Sequence, residues 1–246
     1  MSKTAKNKVL KTAEILNAKA IMDLSYMAEC SDALTIQAMF SVMRALKRVN
    51  PGDAYLENYL GMRAKYGKEF HDTYQLLWAI GAAVGPKRIL EIGTRTGISI
   101  CQLLFAHKDL ESVEAVVCVD PFDQWTSPNL VRANLAYLGL PHDQDTVTIH
   151  PVTSDEYFAM PRPADFKLFD YILVDGDHSK AQARKDLDNA LKLIAPRGII
   201  VFDDISTAPG ECALEDVWEA WAKDNKDSFA FFKDMRGKGV AHAIKL

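Results

Sequence analysis

Five short apolar runs recur after Pro86: RILEIG (88–93), VVCVD (116–120), TVTIHP (146–151), YILVD (171–175) and GIIVFD (198–203). Each is about five or six residues long and rich in Val and Ile, and amphipathic stretches near residues 98–108, 129–139, 154–159 and 180–194 separate them. Strands this apolar, without clean alternation, are covered on both faces, which calls for a parallel sheet with crossover helices. Two further runs, FAFFKDM (229–235) and VAHAIKL (240–246), flank Gly237-Lys238-Gly239 and read as a terminal antiparallel hairpin. Residues 86–246 are therefore expected to form an open-sheet α/β domain.

The preceding residues follow a different period. From about residue 8 to 50 the pattern is helical, with apolar side chains recurring at three and four (Leu34, Ala38, Phe40, Met43, Leu46, Val49), and Asn50-Pro51-Gly52 stops it. A second helical stretch over roughly 53–84 closes at Gly85-Pro86. Residues 1–85 are thus expected to be a helical extension. Its segment 54–78 interleaves aromatic and charged residues, which suits a lid over a substrate, a contact between two copies of the chain, or plain packing on the sheet.

Composition narrows the partners. Twenty-nine basic residues against 33 acidic ones give a formal charge of −4, which argues against sequence-independent binding of nucleic acid. The longest apolar stretches are about ten residues, too short to span a bilayer. The basic start is not followed by an apolar signal region. The four cysteines lack CxxC or zinc-type spacing, and Cys101 and Cys118 lie inside apolar runs as core thiols. The expected setting is a reducing cytoplasm, without membrane or nucleic-acid partners.

Open α/β sheets bind ligands beyond the carboxyl ends of their strands. In this chain those ends are acidic: Glu91 near the first, Asp120 after the second, Asp175 after the fourth, Asp203-Asp204 after the fifth. The loop ILEIGTRTGIS (89–99) lacks the GxxxxGK[ST] of a phosphate-binding loop, and Arg95 and Ile98 stand where a dinucleotide fingerprint needs its second and third glycines. A side chain at the second position blocks the approach of a pyrophosphate. What remains is Glu91-x-Gly93-x-x-x-Gly97, with a carboxylate that repels phosphate and attracts cations. S-adenosylmethionine, carrying a sulfonium and an ammonium and no phosphate, suits it, and Asp120 is placed to accept ribose hydroxyls. The competing role for Glu91 and Asp120 is capping of nearby loops.

Together ILEIGTRTGIS, VVCVDPF and YILVDGDH resemble the class I S-adenosylmethionine-dependent methyltransferases over about residues 70–246. The resemblance implies a Rossmann-like, seven-stranded, mostly parallel sheet of order 3-2-1-4-5-7-6 with strand 7 antiparallel. It also implies that Glu91, Gly93, Thr94 and Ser99 line the methionine part of the cofactor. Asp120 would hold the ribose, and Ser154 with Asp155 would approach the adenine.

Asp175 and Asp203-Asp204 end strands that are neighbours in such a sheet, about 4.8 Å apart. Their loops bring no obvious lysine or arginine, and uncompensated like charges at that spacing are costly. A divalent cation removes the conflict, and an all-oxygen donor set favours Mg²⁺, Mn²⁺ or Ca²⁺ over zinc. Capping of turns or helices by these aspartates is the plainer alternative. The run DYILVDGDHSKAQARKDLDNALKLIAPRGIIVFDDI resembles the metal-dependent O-methyltransferases, both the catechol and caffeoyl-coenzyme A type and, more closely, those acting on macrolide sugars. That resemblance implies Mg²⁺ held by Asp175, Asp203 and Asp204, although the catechol type has Asp-Asn where this chain has Asp203-Asp204. It also implies His178 as general base toward a small-molecule hydroxyl. A structural role for His178, N-methylation or other tailoring chemistry on the same scaffold, and a non-catalytic cofactor-binding module are the alternatives. Trp125 is a candidate wall of the adenine or acceptor side.

Overall fold

In this computed structural model the described residues are 76–77, 80–122, 126–235 and 238–246. The expected helical extension lies outside them except for its end, as does Trp125. A π-helical turn, Ile80–Val84, precedes Gly85, whose φ of 63° and bond from its N–H to the Ile80 carbonyl close the turn where glycine was expected to. The chain then runs β1 (Arg88–Ile92), α1 (Ile98–Phe105), a 3₁₀ turn (Leu110–Ser112), β2 (Ala115–Val119), α2 (Pro128–Tyr137), β3 (Val147–His150) and α3 (Ser154–Ala159). It continues through β4 (Phe169–Val174), α4 (Lys180–Leu193), β5 (Ile194–Phe202), α5 (Glu215–Asp224), β6 (Phe229–Asp234) and β7 (Val240–Lys245).

The seven strands form one sheet of order β3-β2-β1-β4-β5-β7-β6. Neighbours from β3 to β5 are parallel, and β7 runs antiparallel to both β5 and β6. The order is the one the family resemblance implies. Alternate residues along each strand enter two separate cores, as a doubly covered sheet requires. Ile89, Tyr171, Leu173, Ile199 and Val201 pack with Leu103, Leu104, Val131 and Leu135 of α1 and α2. Leu90, Ile172, Val174, Ile200 and Phe202 pack with Tyr157, Leu187, Trp218 and Trp221 of α3, α4 and α5. Among the described residues, no helix is long and apolar enough to cross a membrane.

Two elements differ from the sequence reading. Helix α5 was not foreseen: only Val217, Trp218 and Trp221 of EDVWEAWAKD are buried, too few to impose a visible apolar stripe. Strand β5 starts at Ile194 rather than near Gly198, because Ile194 pairs with Phe169 and Tyr171 next pairs with Ile199. The intervening residues bulge out, with Arg197 at a φ of 65°.

The helix starts that face the sheet's carboxyl edge are set by a left-handed glycine at α1 and by polar caps at α3 and α4. Gly97, at a φ of 77°, leads into α1; Ser179 accepts from the Gln182 N–H at α4. Thr153 and Glu156 form a reciprocal capping box at α3.

Candidate active site

Register aligns the residues that follow the strands. Ile92 of β1 pairs with both Val119 and Val174, and Val174 pairs with Phe202. Gly93, Asp120, Asp175 and Asp203 are therefore a row along one rim, each the first residue past its strand. Backbone bonds carry the row onward: Gly93 donates to Val119, Asp120 to His150, Asp175 to Ile92 and Asp203 to Val174.

On the β1 side, Glu91 is fully buried, and Ser99 Oγ donates to its Oε1. Its Oε2 is buried without a hydrogen-bond partner among the described residues. Burial raises the Glu91 pKa well above the ordinary value; the Ser99 bond opposes the shift, while the charges of Asp175 and Asp120 add to it. A positive ligand brought against this carboxyl would oppose the effect of desolvation and favour its charged form.

Thr94 is buried, and its amide lies 3.4 Å from the Val119 carbonyl. Gly93, at a φ of 88°, approaches the β4–α4 loop so closely that a Cβ there would sit 1.8 Å from the Asp175 carbonyl oxygen. The residue is thus required by contact between two loops, a reason the sequence alone did not reveal. Asp120 does cap a loop, its Oδ2 accepting from Arg95 N–H at 2.8 Å and its Oδ1 from Phe122 N–H at 2.7 Å. A carboxylate has about four acceptor positions, so two amides leave capacity for hydroxyls.

Ser154 and Asp155 are engaged by α4. Gln182 Nε2 donates to Ser154 Oγ and to Asp155 Oδ1, both at 3.0 Å, and Lys185 Nζ lies 2.6 Å from Asp155 Oδ2. The ordering of Asp155 by Lys185 and Gln182 also lowers its pKa.

On the β4–β5 side, carboxylate oxygens from Asp175, Asp203 and Asp204 all lie within 4.8 Å of one another. Asp204 is buried and sits at a φ of 58°, a strained conformation for a non-glycine residue. His178 closes over this group, Nε2 lying 3.1 Å from Asp204 Oδ2 and 3.6 Å from Asp175 Oδ1. The Asp175 contact raises the His178 pKa, burial opposes it, and Asp204 reinforces it. Burial likewise raises Asp175, with the His178 contact opposing and the Asp204 charge adding.

One expectation needs correction. No lysine comes from the loops after β4 and β5, but Lys238 arrives from the β6–β7 hairpin, its Nζ 2.8 Å from Asp204 Oδ1. Burial alone would lower its pKa; the contact with Asp204, aided by Asp203 and Asp175, holds it at about 12. The hairpin is pinned there by bonds from Ser206 N–H to the Lys238 carbonyl and from Ile205 N–H to the Gly239 carbonyl. The signal was available: a strand running antiparallel beside β5 must begin at the carboxyl rim, so the turn before it opens onto the same edge. Asp177, by contrast, stays out of the cluster, accepting from Ser179 N–H at 2.6 Å.

The oxygen cluster fits a hard divalent ion. Oxygens around one octahedral Mg²⁺ stand about 2.9–4.2 Å apart, a small contraction from the observed spread. The unpartnered Glu91 Oε2 and the glycine-lined rim likewise fit a cationic, phosphate-free ligand.

Residues 90–205 match the family model described as a methyltransferase domain. No curated protein matches the chain. Among solved structures, an O-methyltransferase from Bacillus cereus in complex with SAH is similar at 20% identity and a TM-score of 0.57, covering 84% of this chain and 97% of that one. TomG from Streptomyces achromogenes, an O-methyltransferase involved in tomaymycin synthesis and solved with SAM, is similar at 18% identity and a TM-score of 0.58, covering 83% and 96%. At these identities the likeness is one of fold. The matched methyltransferase domain, residues 90–205, runs from β1 to the residues after β5 and so contains the whole acidic rim.

Proposed function

We propose that the protein transfers the methyl group of S-adenosylmethionine to a hydroxyl of a small molecule, a sugar or natural-product scaffold, with a divalent cation, Mg²⁺ by preference, held at the rim. The observation that carries the reading is the convergence of Asp175, Asp203 and Asp204 within 4.8 Å beside His178. The O-methyltransferase neighbours on the same fold support it.

Glu91 binds the cationic amino-acid end of the donor, with Gly93, Thr94, Gly97 and Ser99 shaping the loop around it. Asp120 holds the ribose, and Ser154 and Asp155 face the adenine side. Asp175, Asp203 and Asp204 hold the cation. When bound, the cation would supply the Lewis acidity that lowers the pKa of an acceptor hydroxyl. His178 takes the proton, and the rigid rim aligns acceptor oxygen with methyl and sulfur for in-line displacement. Lys238 neutralises part of the acidic cluster and limits its self-repulsion.

The direct test is release of S-adenosylhomocysteine across a panel of hydroxyl acceptors, with Mg²⁺ and with EDTA. Turnover that EDTA leaves untouched would remove the cation from the reading; methylation confined to amines would remove the hydroxyl.

Two further outcomes are expected. His178→Ala should lower kcat by roughly 10²-fold, the low end of general-base help, because the ring is half-exposed and a polarised hydroxyl needs less assistance. Pre-steady-state methyl transfer checks it, and an unchanged rate would return His178 to a structural role.

Glu91→Gln should weaken S-adenosylmethionine binding at neutral pH by at least about tenfold, as a desolvated charge–charge contact is lost. The same change should stabilise the ligand-free protein at neutral pH. The sign follows from the raised pKa: the folded state holds this proton more tightly than the unfolded one, so stability falls as pH rises from the ordinary Glu value towards the folded value. Calorimetric titration and melting curves between acid and neutral pH measure both.

A further inference from the structure

Beside the oxygen cluster lies a second set of donors that the proposed chemistry leaves partly unused. Cys212 Sγ is 3.0 Å from His178 Nδ1, while Nε2 of the same ring faces Asp204 Oδ2 at 3.1 Å. Donor atoms of His178, Asp204 and Cys212 all lie within 4.8 Å of one another. They come from two loops: His178 from the β4–α4 loop, and Asp204 and Cys212 from opposite ends of the β5–α5 loop. Cys101 and Cys118 are buried within the core, whereas Cys212 is partly exposed at the site mouth. Lys238 contacts the other oxygen of Asp204 and leaves Oδ2 toward the ring.

The two clusters differ in chemistry although they share Asp204. Three carboxylates suit Mg²⁺ or Ca²⁺; a thiol, an imidazole and one carboxylate suit a borderline ion such as Zn²⁺ or Co²⁺. Zinc takes S, N and O donors at about 2.0–2.3 Å in tetrahedral geometry, which sets its donors about 3.3–3.7 Å apart. Opening the Sγ–Nδ1 contact by about half an ångström reaches that spacing. Three protein ligands leave a fourth position for water.

We propose that His178, Cys212 and Asp204 form a transition-metal site for a zinc-class ion, and that its occupancy excludes the hard cation and stops methyl transfer because Asp204 and His178 are common to both. Binding forms bonds from the metal to sulfur, nitrogen and oxygen and breaks the S–H bond. The thiol proton passes to the buffer, and no electron is transferred. The inhibition rests on the function proposed above; the binding does not.

Co²⁺ titration of the full-length, metal-stripped protein tests the binding without any turnover assay. The expected result is a thiolate-to-cobalt charge-transfer band with ligand-field bands of tetrahedral intensity, saturating at one equivalent and abolished by Zn²⁺. Cys212→Ser should remove the band and weaken Co²⁺ binding by at least about tenfold, no less than loss of a residue supporting a ligand costs. Melting temperature and S-adenosylmethionine affinity should be unchanged in that variant. Asp203→Asn should keep the band, which separates this site from the oxygen cluster. A weak octahedral spectrum, identical in wild type and Cys212→Ser, overturns the site. A Cys212-dependent band with undiminished Mg²⁺-supported turnover at saturating Co²⁺ overturns the exclusion.

Discussion

Asp175→Ala is expected to abolish cation-dependent turnover, lowering kcat/KM by at least about 10³-fold, while S-adenosylmethionine affinity stays within a few fold. Metal assistance is worth several kcal/mol of transition-state stabilisation, and each 1.36 kcal/mol is about a factor of ten in rate. Without Asp175 two aspartates remain and Lys238, 2.8 Å from Asp204, offsets one of them, so the net negative charge left to attract a divalent ion is halved. The donor side is spared for a separate reason. The Asp175 charge helps keep Glu91 from ionising, so its removal favours the charged carboxylate that a cationic ligand needs. S-adenosylhomocysteine release as a function of Mg²⁺, together with calorimetric titration of the cofactor, measures both halves. Full turnover in the variant would end the cation assignment.

Gly93→Ala is expected to be the most damaging substitution in the glycine loop. It combines a φ of 88° with a methyl group placed 1.8 Å from the Asp175 carbonyl oxygen and 2.9 Å from Gly176 Cα, both backbone atoms that no rotamer change can clear. Backbone strain of this kind costs about 1–3 kcal/mol, and the contact adds to it. A loss of about 3 kcal/mol lowers Tm by roughly 6–12 °C in a domain of this size. Two controls separate the causes. Gly210 has a φ of 91° and nothing within 4 Å of the place an added methyl group would take, so Gly210→Ala reports the strain alone. Gly97→Ala meets Val131 Cγ1 at 2.9 Å, a side-chain atom that can shift, and should fall between the two. Equal melting temperatures for Gly93→Ala and Gly210→Ala would show that loop contact is not what the glycine serves.

The strands were readable because a doubly covered parallel sheet writes itself as apolar runs. Ile89 and Leu90, or Tyr171 and Ile172, enter opposite cores one residue apart, so apolar side chains follow one another without alternation. Helix α5 was not, since Trp218 and Trp221 supply its burial from within a largely charged segment. The acidic rim was readable because a strand end names its own position. Lys238 was readable only by way of the β5–β7 pairing, and Cys212 was not, since only the tertiary contact to His178 brings it in. Glu91 shows the limit from another side: its position followed from sequence, but that one of its oxygens is buried without a partner among the described residues is a property of packing.

The contact between Gly93 and Asp175 also carries a thermodynamic consequence. If the β1 loop cradles the methyl donor and the β4 loop the cation, one shared wall of main chain adjoins both ligands. Any displacement that donor uptake imposes on that wall is felt by the ion, and reciprocity then fixes the converse. Whatever factor the donor applies to cation affinity, the cation must apply to donor affinity. Ordered addition, with one ligand preparing the pocket for the other, is therefore a kinetic pattern this main-chain junction is built to produce.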